Sequence, residues 1–224
     1  MSRTSMEEVT CPRCGKKSPY QIWESVNTML NPEMKQAVRD GSAFLFTCPH
    51  CGNTSHVEYG FLYHQMEDEI MIYVVSSDDG IEEALSLIND VRLDEIKKTF
   101  KIESHFLNRI VVTQNCLREK LAIFDSGLDD RIVEIYKLLL LVKYQKEHPD
   151  AGQIQLLYYQ EPAGNRGVEV IVNDNSVGAF EFSNEVYDHI SSEFLPKMKD
   201  IRDDEPLIDR QWAIQMLKTI RSGT

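Results

Sequence analysis

Two short, near-identical motifs carry the clearest chemistry in this sequence. Residues 11–15 read CPRCG and residues 48–52 read CPHCG, and together they contain four of the five cysteines in the chain. Two residues between the cysteines of a pair allow both sulfur atoms to reach one metal ion from a single tight turn. The proline restricts the turn, and the glycine can take the positive φ that folds the backbone over the sulfur atoms. Each motif is therefore a candidate half of a metal site.

Together, the two motifs predict a tetrahedral site with four thiolate ligands. Zn²⁺ is the ion that such a ligand set typically binds, at Zn–S distances of about 2.3 Å. Four protein ligands leave no open coordination position, so the site is suited to stabilising the fold and not to activating water. We therefore predict one structural zinc ion, with no catalytic residue and no other cofactor site. The predicted ligands are Cys11, Cys14, Cys48 and Cys51.

Two other interpretations of the motifs stay open at this stage. The order CPHC also occurs in the active site of thioredoxin-like thiol oxidases, where the first cysteine lies at a helix N-terminus that lowers its pKa. The residues that follow Cys51 favour a helix poorly, so we predict a metal site in preference to a redox site. Three nearby histidines, His50, His56 and His64, leave open a fifth or an exchanged metal ligand.

Three further groups contain residue types that can do chemistry, and each has a simpler structural interpretation. Cys116 needs a base such as His105 to act as a nucleophile, and a partly buried structural cysteine is the simpler expectation. An acidic group could bind a divalent cation, although helix capping explains the same residues, which are Asp125, Asp129, Asp130 and Glu134. Aromatic residues could line a pocket but are expected in the core, namely Trp23, Tyr63, Tyr158, Tyr159 and Trp212.

The elements on either side of the two motifs must bring them together. The alternating residues 18–23 predict a strand after the first motif, and the apolar residues 43–47 predict a strand before the second. Asn31 is the predicted N-cap and Pro32 the first residue of a helix that is expected to run to about residue 40 and to end at Gly41. These signals indicate a zinc ribbon whose central turn is expanded to hold an inserted helix.

The rest of the chain predicts a second, mixed domain, and the fold class is therefore α+β. An N-terminal zinc ribbon with an inserted helix is expected over 1–78, followed by a helical and antiparallel β-meander domain over 79–224. The charged residues 92–104 are the predicted hinge. The remaining predicted elements are strands at 70–75 and 106–113, helices at 81–91, 114–124 and 129–147, strands at 153–159, 167–172 and 176–182, a helix after Ser183 that Pro196 ends or kinks, and a helix at 206–220.

Composition restricts the classes of partner. The chain of 224 residues is 42% hydrophobic and 27% charged, as expected of a folded protein, and its net charge is −12. All of the excess negative charge follows residue 60, and a nucleic-acid role would need a basic face around Arg13, Lys16, Lys17 and Lys35. The sequence opens without a signal peptide and has no membrane-spanning run. We expect a cytoplasmic protein that binds another protein, and neither a membrane nor nucleic acid.

The chain resembles the CpXC family of bacterial and archaeal proteins, named for two Cys-Pro-x-Cys motifs. Besides the motifs themselves, the segment 23–27, the helix start at Asn31 and the segment 61–63 carry the resemblance. Residues 117–131 look like the second half of longer members, and the resemblance as a whole covers 8–145. It implies a zinc-ribbon-like start with four cysteine ligands. It implies no catalytic residue, since the family has no established biochemical activity.

Three functional hypotheses are therefore considered, in order of preference. The first is a non-enzymatic, zinc-stabilised protein-interaction module, which a flat apolar patch beside the ribbon would favour. The second is an enzyme with a site in the C-terminal domain or at the domain junction, which a deep pocket with converging polar groups and perturbed carboxylates would favour. A nucleic-acid-binding ribbon is the third.

Overall fold

A computed structural model describes residues 2–90, 106–161, 164–198 and 205–222. These residues form six α-helices and ten strands in three sheets, which confirms the mixed α and β class. The chain divides into two compact units, Met1–Arg118 and Glu119–Thr224. The domain limits expected from the sequence, 1–78 and 79–224, stay a prediction, and the predicted hinge at 92–104 lies outside the described residues.

Unit 1 is organised around a five-stranded mixed sheet. Its strands are β1 (Arg3–Thr10), β2 (Lys17–Asn27), β5 (Phe61–Gln65), β6 (Ile70–Val74) and β7 (Leu107–Val111), in the spatial order β1-β2-β5-β6-β7. The β1–β2 and β5–β6 pairs are antiparallel, whereas β2–β5 and β6–β7 are parallel. Val26, Tyr63 and Ile72, on the three central strands, are fully buried. The middle of the sheet is therefore the core of this unit.

The insert between the two cysteine motifs contains a helix and a short strand. Helix α1 (Glu33–Asp40) buries Met34 and Val38, and it ends at Gly41, whose φ is +81°. This confirms the predicted helix and its glycine cap. The predicted N-cap was wrong, because Pro32 and not Asn31 occupies the cap position, and no side chain caps the helix there. A short 3₁₀ turn then leads into β3 (Leu45–Thr47), which pairs with β4 (Thr54–His56) in a two-stranded antiparallel sheet.

Helix α2 (Asp78–Ile88) begins earlier than predicted. The sequence predicts that the helix starts at residue 81. Instead, the Ser77 hydroxyl accepts a hydrogen bond from the Gly80 backbone N–H at 3.2 Å and caps the helix. Asp78 and Asp79 then lie in the first turn, where the helix dipole favours negative charge. The local cap thus outweighs the turn tendency of Gly80.

Unit 2 packs helices against a three-stranded antiparallel sheet. Helix α3 (Gln114–Asp125) begins in unit 1 and ends in unit 2, and it is followed by α4 (Asp130–Glu147), β8 (Ile154–Gln160), β9 (Arg166–Val172), β10 (Asn175–Glu181), α5 (Asn184–Met198) and α6 (Arg210–Ser222). The sheet has the spatial order β10-β9-β8. Its core includes Ile132 and Val133 of α4, Leu156 and Val168 of the sheet, and Trp212 of α6.

The two C-terminal helices differ from their predicted limits. Helix α6 was expected from 206 but starts at 210, because the Asp209 carboxylate accepts a hydrogen bond from the Trp212 backbone N–H at 2.8 Å and caps it there. Pro196 lies inside α5, whose described part runs to Met198, so the helix does not end at the proline.

Candidate metal centre

The first cysteine motif forms a tight turn between β1 and β2. The Gly15 N–H donates to the Cys11 carbonyl at 2.9 Å, and the Cys11 N–H donates to the Lys16 carbonyl at 3.0 Å. Gly15 has φ +70°, a value that residues with a Cβ rarely adopt. The predicted role of this glycine is confirmed, and the turn directs both cysteines of the motif to the same side.

The second motif repeats the same turn between β3 and β4. The Gly52 N–H donates to the Cys48 carbonyl at 2.9 Å, and the Cys48 N–H donates to the Asn53 carbonyl at 2.9 Å. Gly52 has φ +69°, which matches Gly15 within one degree. Equal sequence thus gives equal local structure at two separate places in the unit.

The four sulfur atoms of the two turns lie together. All of them are within 4.8 Å of one another. Cys11 Sγ is 3.7 Å from Cys51 Sγ, and Cys14 Sγ is 3.7 Å from Cys48 Sγ. Four sulfurs at about 2.3 Å from a central zinc ion would be about 3.8 Å apart, whereas a disulfide needs about 2.05 Å. The four cysteines are therefore free thiols positioned to hold a metal ion.

Packing around the sulfurs is uneven. Cys11 and Cys48 are each 1% exposed, whereas Cys14 is exposed and Cys51 is partly exposed. The buried pair packs with Phe46 in a small apolar cluster, joined by the partly buried Val9, Tyr20, Cys51 and Val57. This cluster is separate from the sheet core, so little apolar burial holds the two turns together. A metal ion would supply a link that the packing does not.

The surroundings of Cys11 and Cys51 shift the pKa values of the two thiols in opposite directions. A hydrogen bond from the Cys14 backbone N–H is the main reason that the pKa of Cys11 falls to about 6. The Asn53 backbone N–H acts to lower the pKa of Cys51, but burial and the neighbouring thiols raise it to about 11. Metal binding must displace the remaining protons, so occupancy of this site depends on pH.

The histidines near the motifs do not join the thiols. In the part of the chain that the structure describes, the only group of ligand atoms close enough to hold a metal ion is the four cysteines. The His56 ring lies 5.8 Å from the ring of Phe44, and the His64 ring lies 5.0 Å from that of Phe106. His64 is therefore a partly buried packing residue, His56 is exposed with its Nδ1 3.6 Å from a Glu58 carboxylate oxygen, and His50 is an exposed residue of the second turn.

The redox alternative lacks the helix that it requires. A turn and then β4 follow Cys51, so Cys48 does not lie at a helix N-terminus. For Cys116, its position on α3 is described but that of His105 is not, so the nucleophile hypothesis falls outside the described residues. The Cys116 N–H donates to the hydroxyl of Thr113 at 3.0 Å, so Thr113 caps α3.

Most of the aromatic residues singled out from the sequence lie in the interior. Tyr63, Tyr158 and Trp212 are at most 9% exposed. Trp23 and Tyr159 are partly buried, and Tyr159 borders an open groove near Arg166. The core interpretation therefore holds for the first three.

The sequence analysis missed a buried ionic cluster in unit 2. Lys137 Nζ lies 2.7 Å from a Glu119 carboxylate oxygen and 2.9 Å from one of Glu134. Lys120 Nζ lies 2.9 Å from an Asp130 carboxylate oxygen and 3.6 Å from one of Glu134. None of these five side chains is more than 11% exposed. Charges in an otherwise apolar helix, at positions 130, 134 and 137 of α4, were the available signal, because these spacings place them on one face.

This cluster accounts for the acidic residues that were considered as a cation site. Asp130 and Glu134 are paired with lysines, while the Asp129 carboxylate accepts a hydrogen bond from the Arg131 N–H at 2.9 Å and caps α4, as predicted. Burial raises the pKa of Glu119. For Lys137, burial acts to lower the pKa, but the two neighbouring carboxylates raise it above the usual range.

The fold and the sulfur cluster together define a mixed α and β protein with a closed four-cysteine site for a metal ion. The family model described as CpXC protein matches residues 9–137, which is more than half of the chain and includes all four cysteines. The chain therefore belongs to the CpXC family. No curated protein and no solved structure gives a match. None of the described helices has both the length and the apolar character needed to cross a membrane.

Proposed function

We propose that this chain is a zinc-stabilised protein-interaction module without catalytic activity, acting in a reducing, cytoplasmic compartment. The observation that carries the proposal is the cluster of four thiols within 4.8 Å, which fills a tetrahedral coordination sphere. Cys11, Cys14, Cys48 and Cys51 would hold one Zn²⁺ ion and make the N-terminal part a zinc ribbon with an inserted helix. The ion would supply a cross-link between the two turns.

Zinc fits these ligands better than other common ions. A set of four thiolates favours zinc or iron–sulfur chemistry, whereas magnesium and calcium prefer oxygen. The S–S distances of 3.7 Å agree with a single zinc ion at the centre of the cluster. Because the ligands come from two turns far apart in sequence, metal binding would be coupled to the folding of this part of the chain.

An exposed apolar patch in unit 1 supports a protein partner. Met29, Leu30 and Met66 are 64%, 61% and 41% exposed. The Asn27 side chain connects them, since its amide N–H₂ lies 3.1 Å from the Met66 sulfur and its carbonyl accepts from the Met29 N–H at 3.0 Å. Methionine-rich apolar surfaces adapt well to protein partners. We refer to Met29, Leu30 and Met66 as the methionine patch.

The enzyme alternative has weaker support. Unit 2 has a groove of about 430 Å³ between the end of α4 and β9–β10, bordered by Glu147, His148 and Asp150. Among the described residues of unit 2, the carboxyl group with a raised pKa is that of Glu119, which lies in the buried ionic cluster and does not border this groove. The groove therefore lacks the combination of a pocket and a perturbed carboxyl that would indicate catalysis.

A nucleic-acid role is also disfavoured by the partners of the lysines in unit 1. Lys35 is paired with Glu67 and Asp68 at 3.1 and 3.2 Å, and Lys17 lies 3.6 Å from Glu8. Two of the four residues of the basic face that such a role needs are therefore paired with carboxylates, while Arg13 and Lys16 are exposed.

The test is affinity capture from a cell extract with the full chain, compared with Leu30→Lys and with Leu87→Lys as a matched control. Leu87 is 50% exposed on α2, away from the methionine patch in sequence, so its substitution makes the same change in charge and apolar area. We expect a defined partner that is captured by the wild type and by Leu87→Lys but lost with Leu30→Lys. Capture that is equal for all three proteins would contradict the proposed surface.

A further inference from the structure

The outer edge of β1 is open along an unusually long strand. β1 has eight residues and lies at the end of the five-stranded sheet, so β2 occupies one edge, and no strand of the described part pairs with the other. Six of its eight residues are exposed, and Met6 is 62% exposed. Long open edges expose unpaired backbone N–H and C=O groups. They are usually protected against pairing with another chain by lysine, by proline, or by a helix or loop that covers the edge. Among its residues, β1 has neither lysine nor proline.

Other sheet edges of the molecule are less suited to pairing. The outer edge of β8 is occupied, because the Tyr158 N–H donates to Glu119 at 2.7 Å and the Ile154 carbonyl accepts from Arg210 at 2.5 Å. Both β1 and β10 have one register irregularity. In β1 it lies between Arg3 and Thr4, where the extra residue is Glu24 of β2, so the strand itself continues without an inserted residue. In β10 it lies between Ser176 and Gly178 within the strand itself. β7 is only five residues long. The edge of β1 is therefore the best candidate for an added strand.

The charges of β1 complement those of a second, antiparallel copy of β1. A two-fold axis perpendicular to the sheet keeps each face of the sheet on the same side in both copies. Because side chains alternate between the faces, residues that lie opposite each other are both odd-numbered or both even-numbered, and the sum of their residue numbers is even. When the sum is 10, Arg3 lies opposite Glu7 of the second copy, twice by symmetry, and the two Ser5 residues meet at the axis. Cross-strand pairs of opposite charge are favourable. The same register places Met6 beside Thr4 of the second copy, on the other face.

Both members of this charge pair are available. The Arg3 guanidinium lies 2.7 Å from a Glu24 carboxylate oxygen, but the side chain is 76% exposed. It can therefore donate hydrogen bonds to a second carboxylate. Glu7 is exposed and has no ion pair in the part of the chain that the structure describes. Self-pairing of β10 would bring together no opposite charges, since Glu181 is its single charged residue. Charge therefore distinguishes β1 from β10 as a self-complementary edge.

We propose that the chain forms a symmetric dimer in which the β1 strands of two copies pair antiparallel, with Arg3 opposite Glu7 of the second copy. The two five-stranded sheets then form one ten-stranded sheet. This interface is distinct from the methionine patch, so the dimer and the protein partner proposed above are separate claims with separate tests.

The charge pair is tested by measuring the dimerisation constant of the full, metal-loaded chain by analytical ultracentrifugation. The wild type should sediment at about twice the chain mass of 25.9 kDa. Glu7→Arg should weaken the dimer about tenfold or more, because two attractive pairs become repulsive. The double variant Arg3→Glu with Glu7→Arg should restore it. Glu8→Arg is the matched control, since it makes the same charge change on the same strand without facing Arg3.

The register is tested independently of charge by Ser5→Cys. The two introduced thiols meet at the proposed axis and should form an intermolecular disulfide, identified by mass spectrometry of the linked peptide. Glu8→Cys is the control, because its two thiols would be about six residue spacings apart, roughly 20 Å. A monomeric wild type, or a dimer weakened equally by Glu7→Arg and Glu8→Arg, would overturn the proposal. A dimer in which the Ser5→Cys variant fails to cross-link would also overturn it.

Discussion

At the scale of single residues, two glycines and four cysteines determine the candidate metal site. Each motif turns its chain by the same hydrogen bond, from the glycine N–H to the carbonyl of the first cysteine, and each glycine has φ close to +70°. The motif letters were enough to predict these features, because they depend only on residues within five positions of each other. The uneven burial of the sulfurs was not predictable, because it depends on Phe46 and on neighbouring strands.

The backbone at Gly52 gives the first prediction. Nothing lies within 4 Å of a Cβ placed on this residue, so Gly52→Ala introduces no clash, only the strain of a positive φ. We expect a loss of about 1–2 kcal/mol in folding free energy, measured by urea unfolding of the metal-loaded protein. Gly52→Asn is the control and should lose less, since asparagine adopts this conformation more readily. An equal loss in both variants would show that the strain is not the cause.

His64 gives a prediction of pH dependence. Burial lowers the pKa of His64, and its Nε2 atom is buried without a hydrogen-bond partner among the described residues. A histidine with a lowered pKa in the folded state stabilises the fold above the unfolded value of about 6.5 and loses that contribution as pH falls below it. The unfolding free energy of the wild type should therefore fall between pH 7.5 and pH 5.5 more than that of His64→Phe, on equilibrium denaturation. His64→Phe keeps a ring beside Phe106, so equal pH slopes would contradict this assignment.

At the scale of elements, the sequence predicted those that have local signals. The C-cap of α1, Gly41, and the N-cap of α4, Asp129, were predicted, because each acts on adjacent residues. β1 was missed, because its residues are polar and mostly exposed, so it has no apolar alternation. The ionic cluster was missed for a different reason. Glu119 and Lys137 are 18 positions apart and meet only when α3 and α4 pack together.

The ionic cluster gives the element-scale prediction. Glu119→Gln removes one of the two carboxylates beside the buried Lys137 and leaves Glu134 at 2.9 Å. An unpaired buried charge costs about 3–5 kcal/mol, so with one partner kept we expect a loss of up to about 3 kcal/mol. Urea unfolding should show this loss when it is followed by tryptophan fluorescence in a Trp23→Phe background, where Trp212 is the remaining tryptophan. Glu147→Gln is the matched control at the exposed end of α4, and it should change stability by less than about 0.5 kcal/mol. If both variants unfold alike, the cluster does not stabilise the helices.

At the scale of the whole molecule, the family match and the compact units have different limits. The match extends to residue 137, whereas unit 1 ends at Arg118. The matched segment therefore includes every member of the ionic cluster but none of β8–β10. The charge pattern, with 19 acidic and 12 basic residues in unit 2, was visible in the sequence. The arrangement of those charges was not, because burial depends on residues far apart in the chain.

Loss of the metal should affect the two units differently. Cys48→Ser removes one ligand from the candidate site, so unit 1 should lose most of the metal-dependent stability, which is about 10–16 kcal/mol in isolated zinc fingers. Hydrogen exchange should then show loss of protection in β1–β4, with α4 and β8–β10 largely unchanged. Cys116→Ser is the matched control and should keep wild-type protection throughout. Equal exchange in the two variants would exclude a stabilising role for Cys48.

The central claim is most directly tested by native mass spectrometry of the purified chain, combined with thiol labelling before and after unfolding. We predict one zinc ion per chain, with four thiols protected in the folded protein and released together when the metal is chelated. Only Cys116 should react independently of the metal. A fully folded chain without zinc, and with a disulfide between Cys48 and Cys51, would contradict the account.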